Sequence, residues 1–355
     1  MRRLQSSRTP AWRATATALL AAAICGIPAR IIACDLCAIY SATEQRESRT
    51  GFRLGVAEQY TFYGTLQNDG REVANPAGER LNSFITQFVG GYTFTPRLGA
   101  QINLPLIGRA YRRQEANNRV VDGDETGLGD LSLVGNVVAF SDVTENSVLR
   151  FSLLGGLKLP TGNSHRIKEE LIASQSPSCQ PPVFGGGYGC SGGASTIQLR
   201  HNVNGVQSGI HGHDLALGSG SVDGIIGTQL FGSWKRAFVS AAVQYMLRTE
   251  GSFGYTYAND LIWSGGPGAF LLLSHDYTIG TQLVVSGETK GNDTLQGTKG
   301  NDTAITALYL GPGFTLTWGT SLAAEIAADL PVLEHNTSLQ IVPDYRLRAG
   351  VSYRF

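Results

Sequence analysis

The sequence predicts an all-β fold, a transmembrane antiparallel up-and-down β-barrel of about twelve strands. Three observations carry that expectation. The last stretch of chain alternates apolar and polar residues one by one: Tyr345, Leu347, Ala349, Val351, Tyr353 and Phe355 against Arg346, Arg348, Gly350, Ser352 and Arg354. A two-residue period puts the two sets on opposite faces of a strand. The body of the chain breaks into runs of strand length, punctuated by Gly, Asn, Asp and Pro clusters, without long-helix periodicity. The connections between those runs then sort into a short set and a long set, as the two rims of an outer-membrane barrel require.

Taken in order, Arg2, Arg3, Arg8 and Arg13 precede a short apolar run at 14–27, which reads as a secretory signal over residues 1–33. Residues 34–50 form a periplasmic segment opening on Cys34, and residues 51–355 form the barrel. Upward strands are expected near 51–65, 97–111, 147–159, 235–248, 277–289 and 321–332. Downward strands are expected near 81–94, 126–140, 213–231, 254–273, 303–318 and 341–355. Short turns such as Thr95-Pro96-Arg97 and Trp318-Gly319-Thr320 mark the periplasmic rim, and one long extracellular loop runs near 160–212.

Individual strands carry a lipid-out, water-in pattern. Phe151, Leu153, Leu157 and Leu159 alternate with Arg150, Ser152 and Lys158, and Leu322, Ile326 and Leu330 with Glu325 and Asp329. A charge on the lipid face near the midplane costs several kcal/mol, so these charges are expected in the lumen. Glu58 departs from the rule, sharing parity with Leu54 and Val56; a bulge or a place near a rim would accommodate it.

Composition narrows the function. With 28 basic and 28 acidic residues the net charge is zero, and nothing points to nucleic acid. No segment offers 18 uninterrupted apolar residues, so no helical anchor is expected. No Walker-type G-x-x-x-x-G-K-[ST] segment is present, and no cofactor is expected.

Gly127-Leu128-Gly129-Asp130-Leu131, Gly156-Leu157-Lys158-Leu159-Pro160-Thr161-Gly162 and Asp214-Leu215-Ala216-Leu217-Gly218-Ser219-Gly220-Ser221 resemble motifs of the meta-pathway phenol-degradation family of outer-membrane transporters. The resemblance covers roughly residues 124–355 and implies a membrane barrel that passes small, aromatic or apolar compounds. It brings no catalytic set. Tyr353 and Phe355, closing the last strand, likewise resemble the carboxy-terminal assembly signal of outer-membrane barrels, which implies the BAM machinery as a partner.

The remaining candidates divide by chemistry. Cys34 and Cys37 form a C-x-x-C that reads as a local disulfide or free thiols, as a lipidated Cys34, or as a metal or redox pair. Arg30 argues against lipidation, and no His follows Cys37 to make a haem attachment. Cys179 and Cys190 are expected to pin the long loop by a disulfide. His211, His213 and Asp214 could bind zinc or copper if their loop converges; as the start of a strand they would point apart at a wet rim. Gly291-Asn292-Asp293-Thr294 recurs at Gly300-Asn301-Asp302-Thr303, too few units to stack a calcium β-roll, so a polar hairpin loop is expected.

Arg53, Asp130, Arg150, Lys158, Asp223, Glu325, Asp329, Arg346, Arg348 and Arg354 are expected to line the lumen. Separated by sign they would filter solutes, and paired they would form a structural network. The reading that follows is a passive, porin-like channel for small solutes in the bacterial outer membrane, in contact with its lipid. It is not expected to be an enzyme, and a homo-oligomer stays open. The alternative is a non-conducting scaffold barrel associated with a redox or metal partner.

Overall fold

The computed structural model describes residues 50–115, 119–175, 208–300 and 302–355. The expected signal, Cys34, Cys37, Cys179 and Cys190 lie outside the described residues. The long strands are β1 (Gly51–Asn68), β2 (Arg80–Thr95), β3 (Leu98–Gln114), β4 (Val120–Leu128), β5 (Leu131–Val143), β6 (Ser147–Leu159) and β7 (Asp223–Trp234). They continue as β8 (Ala237–Leu247), β9 (Asp260–Leu273), β10 (Tyr277–Lys290), β11 (Ile305–Trp318), β12 (Leu322–Asn336) and β13 (Leu339–Arg354). β4 and β5 both pair with β3 and are halves of one stave, interrupted at Gly129-Asp130. The result is a wall of twelve antiparallel staves, closed where β13 pairs with β1 from Arg354↔Arg53 to Leu339↔Asn68. Closure leaves no stave of the lipid-covered wall with an open edge, which matters where lipid offers backbone groups no partner.

Alternation assigns the two faces. Leu149, Leu153 and Leu157 are exposed on β6 while Arg150, Ser152, Leu154 and Lys158 are buried. On β13, Leu347, Val351 and Tyr353 face out, whereas Arg346 is buried. Phe52, Phe94, Trp234, Trp318 and Phe355 stand exposed around the short-turn rim. Tyr60, Phe62, Phe84 and Tyr345 form a second aromatic group on the outer face, with ring centroids 4.8–6.0 Å apart. Tyr60 lies eight residues beyond Phe52 on β1, roughly 20 Å up a tilted strand, in keeping with an apolar band about 25 Å tall.

Glu58 stays on the outer face. The irregularities of β1 come later, at Phe62/Tyr63 and Tyr63/Thr65, so no bulge turns Glu58 inward. It lies opposite Thr86 and Ala349, just below Tyr60, and accepts a hydrogen bond from the Thr86 hydroxyl. The interruption at Gly129-Asp130 does change parity. Inward positions are odd before it, as in Glu125↔Arg109, and even after it, as in Val134↔Gln101.

Two expected strands start later than the sequence indicates. The strand expected from 213 begins at Asp223, and that expected from 254 begins at Asp260. Leu215 and Leu217 imitate strand alternation, but both are buried, as are the intervening Ala216 and the following Ser219. Gly220, at φ 71°, then breaks any extended run. The glycine repeats resolve into a hairpin, Thr294–Leu295 with Thr298–Lys299, which pairs with Tyr255–Thr256.

The outward assignment of β6 has a measurable consequence. Leu153→Arg should lower unfolding stability in lipid vesicles by about 2–4 kcal/mol, whereas Leu153→Phe should change it little. Urea titration followed by heat-modifiable gel mobility reads the difference, and an arginine tolerated there would reverse the assignment of the two faces.

Candidate functional site

The site is the lumen. Among the described residues, β4 pairs only with β3, and beyond Leu131↔Leu159 no strand continues on its other side. Chain from the long loop fills the space behind that low wall. Residues 160–175 turn in through His165–Ile167 and α1 (Lys168–Gln175), and residues 208–222 return through α2 (Gly212–Leu215). The returning segment starts against β1 and β13, where the Ile341 amide donates to the Gly209 carbonyl. A Cβ on Gly209 would lie 2.2 Å from Leu66 Cδ1 and 3.0 Å from the Ile341 nitrogen, so a larger residue there would have to displace Leu66. Glu79 fastens the same point, accepting from the Ser208 hydroxyl at 2.6 Å and the Gly209 amide at 2.9 Å.

The segment ends at a buried ionic knot. Lys158 Nζ donates to Asp130 Oδ2 (2.7 Å) and the Ser219 hydroxyl (2.7 Å), and lies 2.8 Å from Asp223 Oδ2. Asp130 also accepts from the Gly162 amide and from the Ser219 amide, each at 2.9 Å. Arg248 extends the chain of charge, donating to Asp223 at 2.9 Å and to Asp260 at 2.6 Å. All three motif stretches meet here. Gly162 and Gly218 pack so closely that a Cβ on Gly218 would lie 2.6 Å from Asp130 Oδ1. The motifs are therefore one three-dimensional lock read as three pieces of sequence.

A second ionic group holds the outward arm. Arg166 donates to Glu125 (2.7 Å), Glu169 (2.5 Å) and the Tyr111 hydroxyl (2.8 Å), while Arg113 donates to Glu169 at 2.8 Å. Burial works against the Arg166 charge, but Glu169 and Glu125 outweigh it and hold its pKa above the usual value. In the hairpin region, Tyr255 donates to Asp293 at 2.5 Å, and Lys290 Nζ donates to the same carboxylate at 2.6 Å. Burial, with Asp293 alongside, pushes the Tyr255 phenol well up, so it remains a donor.

The structure places the predicted lumen residues in two groups, with Glu325 apart from both. Asp130, Lys158, Asp223, Asp329, Arg346 and Arg348 are ion-paired, Arg346 with Glu288 at 3.1 Å and Arg348 with Asp329 at 2.9 Å. Arg53, Arg150 and Arg354 lie together around a cavity of about 60 Å³ near the short-turn rim. Glu325 lines a second small cavity, of about 50 Å³, with Arg348 and Gln282. Glu79, Arg109, Arg113, Glu170, Arg248, Asp260, Glu288 and Lys290 escaped the sequence reading. For Glu288 and Lys290 the signal was present, since they extend the inward even positions of β10 beyond Gln282 and Ser286. Arg248 and Asp260 carry no periodic signal, because they sit where strands end.

His211, His213 and Asp214 do converge, with one ligand atom from each within 4.8 Å of the others. The expected strand start is replaced by α2, which puts the three on one turn instead of pointing them apart. Donor types and burial suit a transition metal. The group is also internally matched: His213 Nδ1 lies 2.9 Å from Glu170 Oε1 and Nε2 lies 3.3 Å from Asp214 Oδ1. Burial opposes the His213 charge, but Asp214 and Glu170 raise its pKa above the usual value, and His213 in turn holds the half-buried Asp214 carboxyl low against its own desolvation.

A larger cavity, about 110 Å³, lies beside α2 and is lined by Tyr63, Leu81, Arg109, Tyr257, Lys290 and Ile341, among others. The Tyr257 ring faces the charges of Lys290 and Arg248, at 5.1 and 5.8 Å from its centroid. An apolar outer band around a closed wall with a charged interior is the arrangement of a bacterial outer-membrane protein.

The chain is an outer-membrane barrel. Its fold is similar to that of an outer membrane channel from Pseudomonas putida F1, with a TM-score of 0.58 and 13% identity over 89% of this chain and 100% of that one. Less similar are the beta domain of the Bordetella autotransporter BrkA (TM-score 0.40, 10% identity, 86% of this chain and 100% of that one) and the translocator domain of the autotransporter NalP from Neisseria meningitidis (TM-score 0.39, 13% identity, 88% and 91%). No family model matches the sequence, and no curated protein matches it. These likenesses concern the fold, and the named family remains a resemblance.

Two outcomes are expected. Lys158→Ala takes the cation from buried Asp130 and leaves Asp223 with Arg248 alone, and should cost about 3–5 kcal/mol in unfolding. Lys158→Met combined with Asp130→Asn and Asp223→Asn should recover much of that loss. For α2, the raised His213 pKa contributes stability fully below about 6.5, lost as pH rises through the folded value; the lowered Asp214 pKa contributes above about 3.8, lost as pH falls. With a chelator present, hydrogen-exchange protection factors across residues 208–215 should therefore peak between those values. His213→Asn should remove the alkaline decline.

Proposed function

We propose that the barrel is a passive channel carrying small solutes across the outer membrane, aromatic or apolar compounds among them. The observation that carries this reading is a closed wall, apolar outside, around a lumen lined by charge and holding cavities in both halves. The cavity beside α2 supports aromatic cargo, because it offers aliphatic walls, two tyrosine rings and cations in one place. Movement follows the concentration gradient. Tyr353 and Phe355, both exposed on the outer face with rings 5.0 Å apart, belong to the same proposal as the assembly signal read by BAM. Association into homo-oligomers is compatible with it.

The scaffold reading draws support from a different observation. The extracellular half of the lumen is occupied by the inward segments and neutralised by its own ion pairs. Single-channel recording of the refolded full chain in a planar bilayer separates the two. Discrete conductance steps, with aromatic solutes entering proteoliposomes, are expected. A folded, heat-modifiable barrel that neither conducts nor admits solutes would replace the channel with the scaffold.

A further inference from the structure

The turn at α2 gathers three donors that a strand would have divided between two faces. One ligand atom from each of His211, His213 and Asp214 lies within 4.8 Å of the others, and both imidazoles are buried. His213 Nε2 is 3.3 Å from Asp214 Oδ1, and His211 Nδ1 is 3.5 Å from Oδ2 of the same carboxylate. Donors held ~2.0–2.1 Å from a tetrahedral ion stand about 3.3–3.4 Å apart. Both pairs therefore lie close to the spacing of neighbouring ligands around one ion.

The groups around the three donors orient them toward one another. Glu170, itself buried, accepts from the His213 backbone amide through Oε1, which also lies 2.9 Å from His213 Nδ1. An ionised carboxylate only accepts, so Nδ1 carries the proton; in the neutral ring Nε2 then keeps its lone pair, on the side of Asp214. A metal-ligating histidine is characteristically held by such a carboxylate on its other nitrogen. Asp214 is held as well. Its Oδ2 accepts from the His211 amide at 2.8 Å, which leaves Oδ1 toward His213 Nε2. Asp214 and Glu170 together offset the charge of a divalent ion. Lys290, which opposes positive charge at His213, is itself paired with Asp293 at 2.6 Å.

We infer that His211, His213 and Asp214 bind a divalent transition-metal ion of the zinc type, with Glu170 as the positioning residue behind His213. Two imidazoles and one carboxylate suit such an ion, whereas magnesium and calcium call for oxygen ligands. Three protein ligands leave a tetrahedral ion one further position. His213 and Asp214 both line the cavity of about 110 Å³, so that position falls to water or to an oxygen of a solute held there. The site is independent of the channel reading and stands equally in a conducting or a non-conducting barrel.

The test titrates Co²⁺, an optical stand-in for zinc, into the refolded, heat-modifiable full chain with its thiols alkylated. Saturable uptake of a single ion is expected, with a visible absorption band that Zn²⁺ displaces. Glu170→Gln should weaken uptake by ~10–100-fold and shift the band without changing the stoichiometry. The double variant His211→Asn/His213→Asn should weaken it further. A readout on the unaltered chain covers the case in which that variant fails to fold: Zn²⁺ should raise hydrogen-exchange protection across residues 208–215. No uptake of Co²⁺ would overturn the inference. So would uptake undiminished in a folded double variant, or uptake that leaves exchange across 208–215 unchanged, since the ion would then sit elsewhere.

Discussion

Lipid gives backbone amides and carbonyls nothing to bond, and that constraint organises everything else in this chain. The wall must close on itself, which it does through the β13–β1 seam. Closure in turn fixes parity on every stave, because a slip of one residue would exchange the two faces. Once parity is fixed, each charge on a stave has one acceptable destination. Arg53, Arg150, Lys158, Arg346 and Arg348 enter the lumen because the outer face is hydrocarbon. Glu58, hydrogen-bonded by Thr86 just below the outer aromatic group, is the exception that the wall tolerates near the interface.

Filling a lumen with charge creates a second problem, which the chain solves differently at its two ends. Near the extracellular side the inward segments bring their own carboxylates, amides and hydroxyls. Lys158 then sits between Asp130 and Asp223, with Ser219 completing its donors. Buried pairs of this sort add little net stability over an apolar core, yet breaking one is expensive. They suit a device that must hold one segment in one place. Near the short turns Arg53, Arg150 and Arg354 gather with Gln101, Asn136 and Gln229 around a cavity.

Under the channel proposal, a solute entering beside α2 meets aliphatic walls, tyrosines and compensated charge. Fixed charge in a narrow, low-dielectric lumen acts on passing ions more strongly than the same charge in open water.

Much of this was legible in the residues. Period two gave strand existence, facing and the lumen side of Arg150, Lys158, Asp329 and Arg348, because burial on one face writes itself into the local sequence. Where that local rule fails, so does the reading. Residues 213–222 alternate as a strand would, yet fold inward, because Glu170 and Asp130, buried and distant along the chain, accept from the His213 and Ser219 amides. The change of parity at Gly129-Asp130 is equally silent, since it follows from packing against Pro105 and Leu217. The convergence of His211, His213 and Asp214, the three-motif knot and the arginines gathered near the short turns are likewise tertiary decisions. Sequence alone determined the barrel, its two faces and the sign of its lumen residues, because lipid imposes a residue-by-residue rule. Which charges meet depends on distances across the barrel that no local pattern encodes.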